Sequence, residues 1–484
     1  MSETLDKVSD FFGMLSGIVW GPFFLIPLLL GTGIVLSIRL GFLQFHKLWP
    51  ALKLGILRRR DEGAFAGDVS QFQALTTALA ATVGVGNIVG VAGAIAVGGP
   101  GALFWMWVTG LLGMASKYAE AFLGVRFRTK DAAGEISGGP QYYLERGIKG
   151  PLGKVLAISF AVLAALASFG IGNMTQGNAI TENIHNTFGI EPWIIGIVLT
   201  VVAFAVLVGG IKSIGRVTAA LVPFMIVVYI LGATFILIVN AGQVPAAFGQ
   251  IFSEAFTGHA AFGGAAGSAF LLALKMGVAR GIFSNESGMG SAAIAAAAAK
   301  TTHPVRQGLV SMTQTFIDTI IVVTFTGLVL ITTGVWEKAD ISQATLTAEA
   351  FTHGLPGNWG HIIVTCSIAL FAFSTVLGWA YYGERCTERL VGRGGVMPYR
   401  VLFSLVVFVG ATVPLKVVWN FADLMNGLMA LPNLIGLLIL SGLIARETKH
   451  YLANDPPLTA SKDEIDAFME GHVGGIDTYE TTGK

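Results

Sequence analysis

The sequence predicts an all-α integral membrane protein of about eleven transmembrane helices, N-terminus outside and C-terminus inside, with two five-helix blocks of opposite direction. Three observations predict it. The 484 residues are 54% hydrophobic and 12% charged, with mean hydropathy +0.70, whereas a soluble domain carries about 25% charge. Eleven predominantly apolar runs approach the roughly 20 residues that cross a bilayer as a helix. The loop cations are lopsided: twenty-one Lys and Arg between Lys47 and Lys449 fall on one side, against Lys7, Lys338 and Lys416 on the other. Cations collect on the cytoplasmic side, which sets the direction and requires an odd number of spans.

The expected spans are 17–39, 72–97, 102–124, 153–185, 192–210, 216–240, 268–299, 307–333, 360–384, 400–417 and 424–445. The first follows an acidic start (Glu3, Asp6, Asp10), unlike the basic start of a signal peptide, and is read as retained. Residues 1–66 then hold an extra span and a basic loop. Residues 67–240 form one block, 241–267 an extracytoplasmic connector, 268–446 the second block, and 447–484 an acidic cytoplasmic tail. Cys366 and Cys386 lie in or beside one run, about five helical turns apart, and are expected to stay reduced. Trp105, Trp107, Trp193, Trp336 and Trp359 sit near span ends, as interfacial anchors do.

The first span of each block is interrupted. Thr82-Val83-Gly84-Val85-Gly86-Asn87 is poor helix material. An unwound turn there exposes N–H groups that suit a carboxylate and carbonyls that suit a cation. Lipid cannot satisfy such groups, so broken helices in corresponding halves point to a transporter's binding site. The competing reading is close helix packing, since Gly86 and Gly90 make a small-xxx-small pair. In the second interruption, Gly281-Ile282-Phe283-Ser284-Asn285 is the expected contact surface: Gly281 for close approach, Ile282 and Phe283 as an apolar wall, Ser284 and Asn285 for hydrogen bonds. Lys275, Arg280 and Glu286 lie in the same span and cannot face lipid; a structural pairing of Arg280 with Glu286 or another carboxylate is the bland alternative.

Ser374 and Thr375 lie mid-span and can either coordinate a cation or bond back to the preceding turn. Asp318 is an ion-relay candidate or a partnered structural acid. Gly138-Gly139-Pro140-Gln141-Tyr142-Tyr143 reads as a gate element or as a turn before an aromatic anchor. No GxxxxGK[ST] phosphate loop and no metal-binding histidine spacing occurs, which argues against ATP-driven pumping. No cofactor, nucleic-acid partner or obligate protein partner is expected.

Several runs resemble the alanine/glycine:cation symporters. They are 72–79, Gly84-Val85-Gly86-Asn87-Ile88, 98–102, Gly138-Gly139-Pro140, the long run 280–290, and Phe373-Ser374-Thr375-Val376-Leu377-Gly378-Trp379. The resemblance covers nearly the whole chain. It implies a leucine-transporter-type 5+5 inverted repeat with two broken helices and one extra N-terminal helix. It also implies sodium- or proton-coupled uptake of alanine or glycine through the bacterial inner membrane. Thr82, Gly84, Gly86 and Asn87 would then hold the substrate carboxylate. Gly281, Ile282, Phe283, Ser284 and Asn285 would face its amino group and side chain. The backbone at Ala80 and Val83 would face Ser374 and Thr375 across a sodium site, with Thr77, Gln73 and Trp379 as pocket or gate neighbours. An ion channel and a membrane enzyme are the other classes considered. A channel filter normally repeats by rotational symmetry, and no nucleophile–base or metal constellation is visible.

Overall fold

Side-chain capping sets where the first interrupted helix begins. Ser70 Oγ accepts from Gln73 N–H at 3.2 Å and Gln73 Oε1 accepts from Ser70 N–H at 3.0 Å, a reciprocal cap. The computed structural model describes residues 2–21, 23–58, 61, 66–257, 266–338, 342–343, 345–357, 359–412 and 415–470. Arg59, Arg60, connector residues 258–265 and tail residues 471–484 lie outside the described residues.

The helices that matter here are α1 (Ser2–Val19), α2 (Leu25–Arg39), α3 (Gln71–Thr82), α4 (Val91–Gly98), α5 (Gly101–Arg126), α6 (Pro151–Phe169), α7 (Thr175–Phe188), α8 (Pro192–Leu207), α9 (Gly210–Val239), α10 (Ala266–Asn285), α11 (Ser291–Ala297), α12 (Pro304–Thr315), α13 (Thr324–Thr333), α14 (Trp359–Val391), α15 (Val396–Thr412) and α16 (Leu415–Asn454). Two boundaries differ from expectation. The predicted span 400–417 runs past the end of α15 at Thr412. The predicted span 17–39 is divided, α1 ending at Val19 and α2 starting at Leu25, because Phe24 leaves helical dihedrals (φ −123°, ψ −87°).

By length and composition, six helical stretches among the described residues can cross a membrane, and the bent pair α3 and α4 makes a seventh. Large apolar side chains are exposed along them and on α8, among them Val198 and Val201 on α8 and Leu231, Phe235 and Ile238 on α9. Such a surface belongs in lipid, so the chain is a multi-pass membrane protein. α5 is buried along most of its length, packed on α10 and α12. α14 lies against α3, α6 and α7. Three of the long stretches contain a π turn: Gly86–Gly90 before α4, Gly170–Met174 between α6 and α7, and Phe316–Val323 between α12 and α13. Such turns leave the regular i→i−4 ladder and are frequent at functional sites.

Trp193 and Trp359 are exposed at helix starts. Trp336 is buried and is not an interfacial anchor, while the Trp105 and Trp107 indoles donate to Ala255 O and Thr324 Oγ1. The glycine-rich run 138–139 leads into a short helix, Pro140–Gly147. Tyr143 there is buried and donates to Asn433 Oδ1.

One end of the molecule is closed by ion pairs. Arg385, almost fully buried, bonds Asp131 at 2.8 Å, Glu135 at 2.6 Å and Glu388 at 2.8 Å. Arg393 reaches the same three carboxylates. Asp131 and Glu135 lie in the loop around a two-stranded ribbon, Thr129–Lys130 paired antiparallel with Ile136–Ser137. Burial alone would raise both carboxyls. Hydrogen bonds outweigh it, from backbone N–H groups and Arg385 at Asp131 and from Arg385 and Arg393 at Glu135, so both lie below their ordinary values. Arg306 makes a second clasp, to Asp61 at 2.7 Å and Asp455 at 2.9 Å, and ties the start of the tail to the body.

Replacing Arg385 by Met should strand buried carboxylates without their main cation. Breaking such a network costs about 3–5 kcal/mol. Arg385→Met is therefore expected to lower the detergent-solubilised melting temperature markedly; an unchanged midpoint would show that Arg393 alone suffices.

Candidate functional site

The first interruption is held open by side chains. Val83 leaves helical dihedrals (φ −74°, ψ 86°), and the axes on either side differ by 50°. The freed N–H of Gly84 donates to Asn87 Oδ1 at 2.9 Å, and that of Val85 to Gln176 Oε1 at 3.3 Å. Two amide oxygens thus occupy backbone donors that could receive a carboxylate. Gly84 is required by close approach, since a Cβ there would lie 2.4 Å from Thr375 Oγ1.

Opposite stands α14. Thr375 Oγ1 donates to Ala80 O at 2.9 Å and to Phe371 O at 3.1 Å. Ser374 Oγ donates to Phe371 O at 2.8 Å and lies 3.3 Å from Ala80 O. Ala80, Ser374 and Thr375 are therefore brought together. Their oxygens are hard donors of the type sodium takes. Among the described residues no group of three or more His, Cys, Asp or Glu suits a metal ion.

The second interruption lies later than the expected contact surface. Residues 281–285 form the last turn of α10, and the chain leaves the helix at Glu286 (φ 54°). Gly288 (φ 88°) and Gly290 (φ 82°) take the left-handed conformations that glycine tolerates, after which α11 begins. Two of the expected contact residues already meet other parts of the protein. Gly281 faces α5: a Cβ there would lie 2.4 Å from Thr109 Oγ1. Asn285 donates its amide to Thr319 Oγ1, and its oxygen accepts from Ser287 N–H. Ile282 is buried, and its carbonyl accepts from Glu286 N–H at 2.8 Å. Ser284 and Phe283 do face the first interruption, since a Cβ on Gly86 would lie 3.1 Å from Ser284 Cα and 3.2 Å from Phe283 Cδ1.

Asp318 joins the two interruptions. It sits fully buried in the π turn Phe316–Val323. Its Oδ1 accepts from Asn87 Nδ2 at 2.7 Å, and its Oδ2 accepts from Ser284 Oγ at 2.9 Å and Thr319 Oγ1 at 2.8 Å. One carboxylate thus bonds a side chain from each broken segment.

The remaining expected residues lie around this centre. Thr82 Oγ1 bonds back to Ala78 O and accepts from Gln314 Nε2, so it faces α12. Thr77 bonds back to Gln73 O and meets Thr218 Oγ1 on α9 at 3.2 Å. Val83 is buried at the end of α3. Trp379 is buried, and its indole donates to Glu286 Oε1 at 2.6 Å. Arg280 pairs with Asp423 rather than Glu286, at 3.2 and 3.1 Å. It also lies over the rings of Phe283 and Trp419, whose centroids are 4.9 Å apart.

Sequence reasoning misses Gln176, Lys117 and Glu120. Gln176 lies in the polar run Asn173-Met174-Thr175-Gln176-Gly177-Asn178 within an otherwise apolar span, a signal that could have found it. Lys117 and Glu120 are charges inside an expected span, and the argument that charges there cannot face lipid applies to them as well.

A sequence model described as the sodium:alanine symporter family matches residues 5–464. The chain belongs to the sodium:alanine symporter family. It is therefore a membrane transporter and not an enzyme. Among relatives, it is 54% identical over 443 residues to the sodium/alanine symporter AgcS of Methanococcus maripaludis, covering 90% of this chain and 96% of that one. It is 37% identical over 442 residues to the probable sodium/glutamine symporter GlnT of Bacillus subtilis, covering 91% and 90%. The amino-acid carrier protein AlsT of Bacillus subtilis is 36% identical over 469 residues, with 96% of each chain covered.

For a transporter of this family, Asp318 is the residue whose chemistry is most exposed to test. Asp318→Asn places an amide where only acceptors fit, so one buried donor from Asn87, Ser284 or Thr319 loses its partner. Such a loss costs about 1–3 kcal/mol of folding stability, and substrate binding weakens as well where the substrate relies on this carboxylate. Isothermal titration of the purified variant checks this; parental affinity would remove Asp318 from the site.

Proposed function

We propose that the chain couples sodium entry to uptake of alanine and other small neutral amino acids by alternating access across the cell inner membrane. The observation that carries the reading is the meeting of the first interruption with Ser374 and Thr375 in a member of this family. Gly84 and Val85 offer N–H groups to a substrate carboxylate, which would replace the Asn87 and Gln176 oxygens one for one. Asp318 offers the negative charge that a substrate ammonium needs. Ala80 O, Ser374 Oγ and Thr375 Oγ1 offer oxygens to sodium, the type of ligand hard cations take. Phe283, backed by Trp419, supplies an apolar wall.

The reading includes eleven spans, N-terminus outside, in a 5+5 inverted arrangement. α3 with α4, α5, α6 with α7, α8 and α9 make the first block. α10 with α11, α12 with α13, α14, α15 and α16 make the second. Each block opens on a broken segment, and the one extra span, divided between α1 and α2, precedes both. In this direction the Arg385 network faces the cytoplasm, and the Arg280–Asp423 pair covers the outer side of the site.

The energetics are adequate with one sodium. A tenfold sodium gradient supplies about 1.4 kcal/mol, and 100 mV adds about 2.3 kcal/mol per charge. Together they sustain a substrate ratio of several hundred.

Labelled alanine uptake into proteoliposomes tests the reading, with sodium and pH gradients imposed separately at constant potential. Sodium should drive accumulation. Accumulation that follows the pH gradient alone would replace sodium with protons as the coupling ion. Ser374→Ala and Thr375→Ala should raise half-saturating sodium while expression stays near parental; an unchanged sodium curve in both would move the cation elsewhere.

Glycine and alanine should compete well for uptake, serine less well and leucine hardly at all. One methylene in an apolar pocket is worth about 1–3 kcal/mol, and overfilling adds strain of similar size. Phe283→Ala should admit larger apolar substrates and weaken alanine binding. Strong leucine competition in the parent would contradict the small pocket, and an unchanged profile in the variant would move the wall to Ile282.

A further inference from the structure

Behind the second interruption lies a cluster of ionisable groups that the symport reading does not use. Lys117 and Glu120 lie one turn apart on α5, and Glu286 stands where α10 ends. All three side chains are essentially inaccessible. Lys117 Nζ donates to the main-chain oxygen of Glu286 at 2.9 Å and lies 3.8 Å from Glu120 Oε2. Glu120 Oε1 accepts from Gly290 N–H at 2.9 Å and Asn433 Nδ2 at 2.8 Å, while its Oε2 has no hydrogen-bond partner. Glu286 Oε1 accepts from Trp379 Nε1, and its Oε2 accepts from Ser291 Oγ at 2.5 Å.

The charges do not balance. One ammonium faces two carboxylates. The other titratable groups near the cluster do not correct the excess: Tyr143 from the helix Pro140–Gly147 and Tyr382 from α14 are neutral phenols, and Asp318 adds a third negative charge within electrostatic reach of Glu286. A buried carboxylate without a counter-charge is strongly disfavoured, and such a group neutralises instead. Among the described residues no group of three or more His, Cys, Asp or Glu suits a metal ion, and the Lys117 ammonium already places a cation here. A proton needs only one carboxylate oxygen.

We propose that the Lys117–Glu120–Glu286 cluster binds one exchangeable proton, held by one of the two carboxyls, which is taken up and released as the second interruption changes shape. Proton binding forms an O–H bond at a carboxylate oxygen and brings the cluster to neutrality; its loss leaves one net negative charge. The site is linked to the interruption by geometry. Lys117 holds the carbonyl of Glu286, Glu120 holds the N–H of Gly290, and Asn433 donates to Gly288 O at 2.8 Å. Glu286 itself is held at φ 54°, uncommon for a residue with a side chain. A change in backbone conformation there moves Lys117 relative to both carboxyls and alters their hold on the proton. The link to transport rests on the symport reading; the proton site does not.

Two readouts test the proposal separately. In acid-minus-alkaline infrared difference spectra of the purified protein, a protonated-carboxyl band should titrate as a single proton. Glu120→Gln and Glu286→Gln, each close in shape to the parent side chain, leave one ammonium and one carboxylate, so that band should be missing from both. No band in the parent, or the same band in both variants, overturns the site. In proteoliposomes, sodium-driven alanine uptake by the parent should change up to about tenfold per pH unit on one limb, and the limb should flatten in Glu120→Gln. A titrating band with pH-independent uptake overturns the link to the transport cycle. A titrating band without any sodium-driven uptake would refute the symport reading and leave the proton site standing.

Discussion

The carboxylate of Asp318 is where the two interrupted helices meet, and the organisation of the site depends on it. A helix broken inside a membrane leaves backbone groups that lipid cannot satisfy. Here the protein satisfies them from within. Asn87 uses its oxygen on Gly84 N–H and its amide on Asp318, and Ser284 reaches Asp318 from the other segment. Each bond fixes the position of the next. The carboxylate is held by three donors, from Asn87, Ser284 and Thr319.

The second interruption follows the same logic with different chemistry. Its backbone is held by Lys117, Glu120 and Asn433, and its acid, Glu286, is tied to Trp379 on α14. Trp379 lies one turn beyond Thr375. The helix that presents the cation-type oxygens is therefore bonded to the second segment and, through Ala80, to the first. Hydrogen bonds thus join α14 to both interruptions. The Arg385 and Arg306 networks close one end of the same assembly, so movement at the centre has to work against buried ion pairs at that end.

Much of this is legible in the sequence. Most of the expected stretches fall on helices or broken helices of the fold; 17–39 is divided between α1 and α2, and 400–417 runs past the end of α15 at Thr412. The pairing of Ala80 with Ser374 and Thr375 comes from the family resemblance, and the two hydroxyls lie there. What fails does so for physical reasons. Gly281 reads as a contact residue because glycine marks close approach, but the approaching partner is Thr109 on α5; sequence shows that room is needed and not what fills it. The polarity of Ser284 and Asn285 places the second break too early, whereas the turn is made by Glu286, Gly288 and Gly290 in left-handed conformations. The cost of a charge within the span requires a carboxylate for Arg280, and Asp423, distant in the chain, supplies it rather than Glu286. Long-range pairings such as Asn87 with Asp318 have no local signature.

If sodium and substrate meet in one connected site, their binding must be thermodynamically linked, and linkage is reciprocal. The most direct measurement is calorimetric titration of the purified protein with alanine at several sodium concentrations, and with sodium at several alanine concentrations. The account predicts that sodium tightens alanine binding and that alanine tightens sodium binding by the same factor, with the factor reduced in Thr375→Ala. Alanine affinity independent of sodium would contradict it.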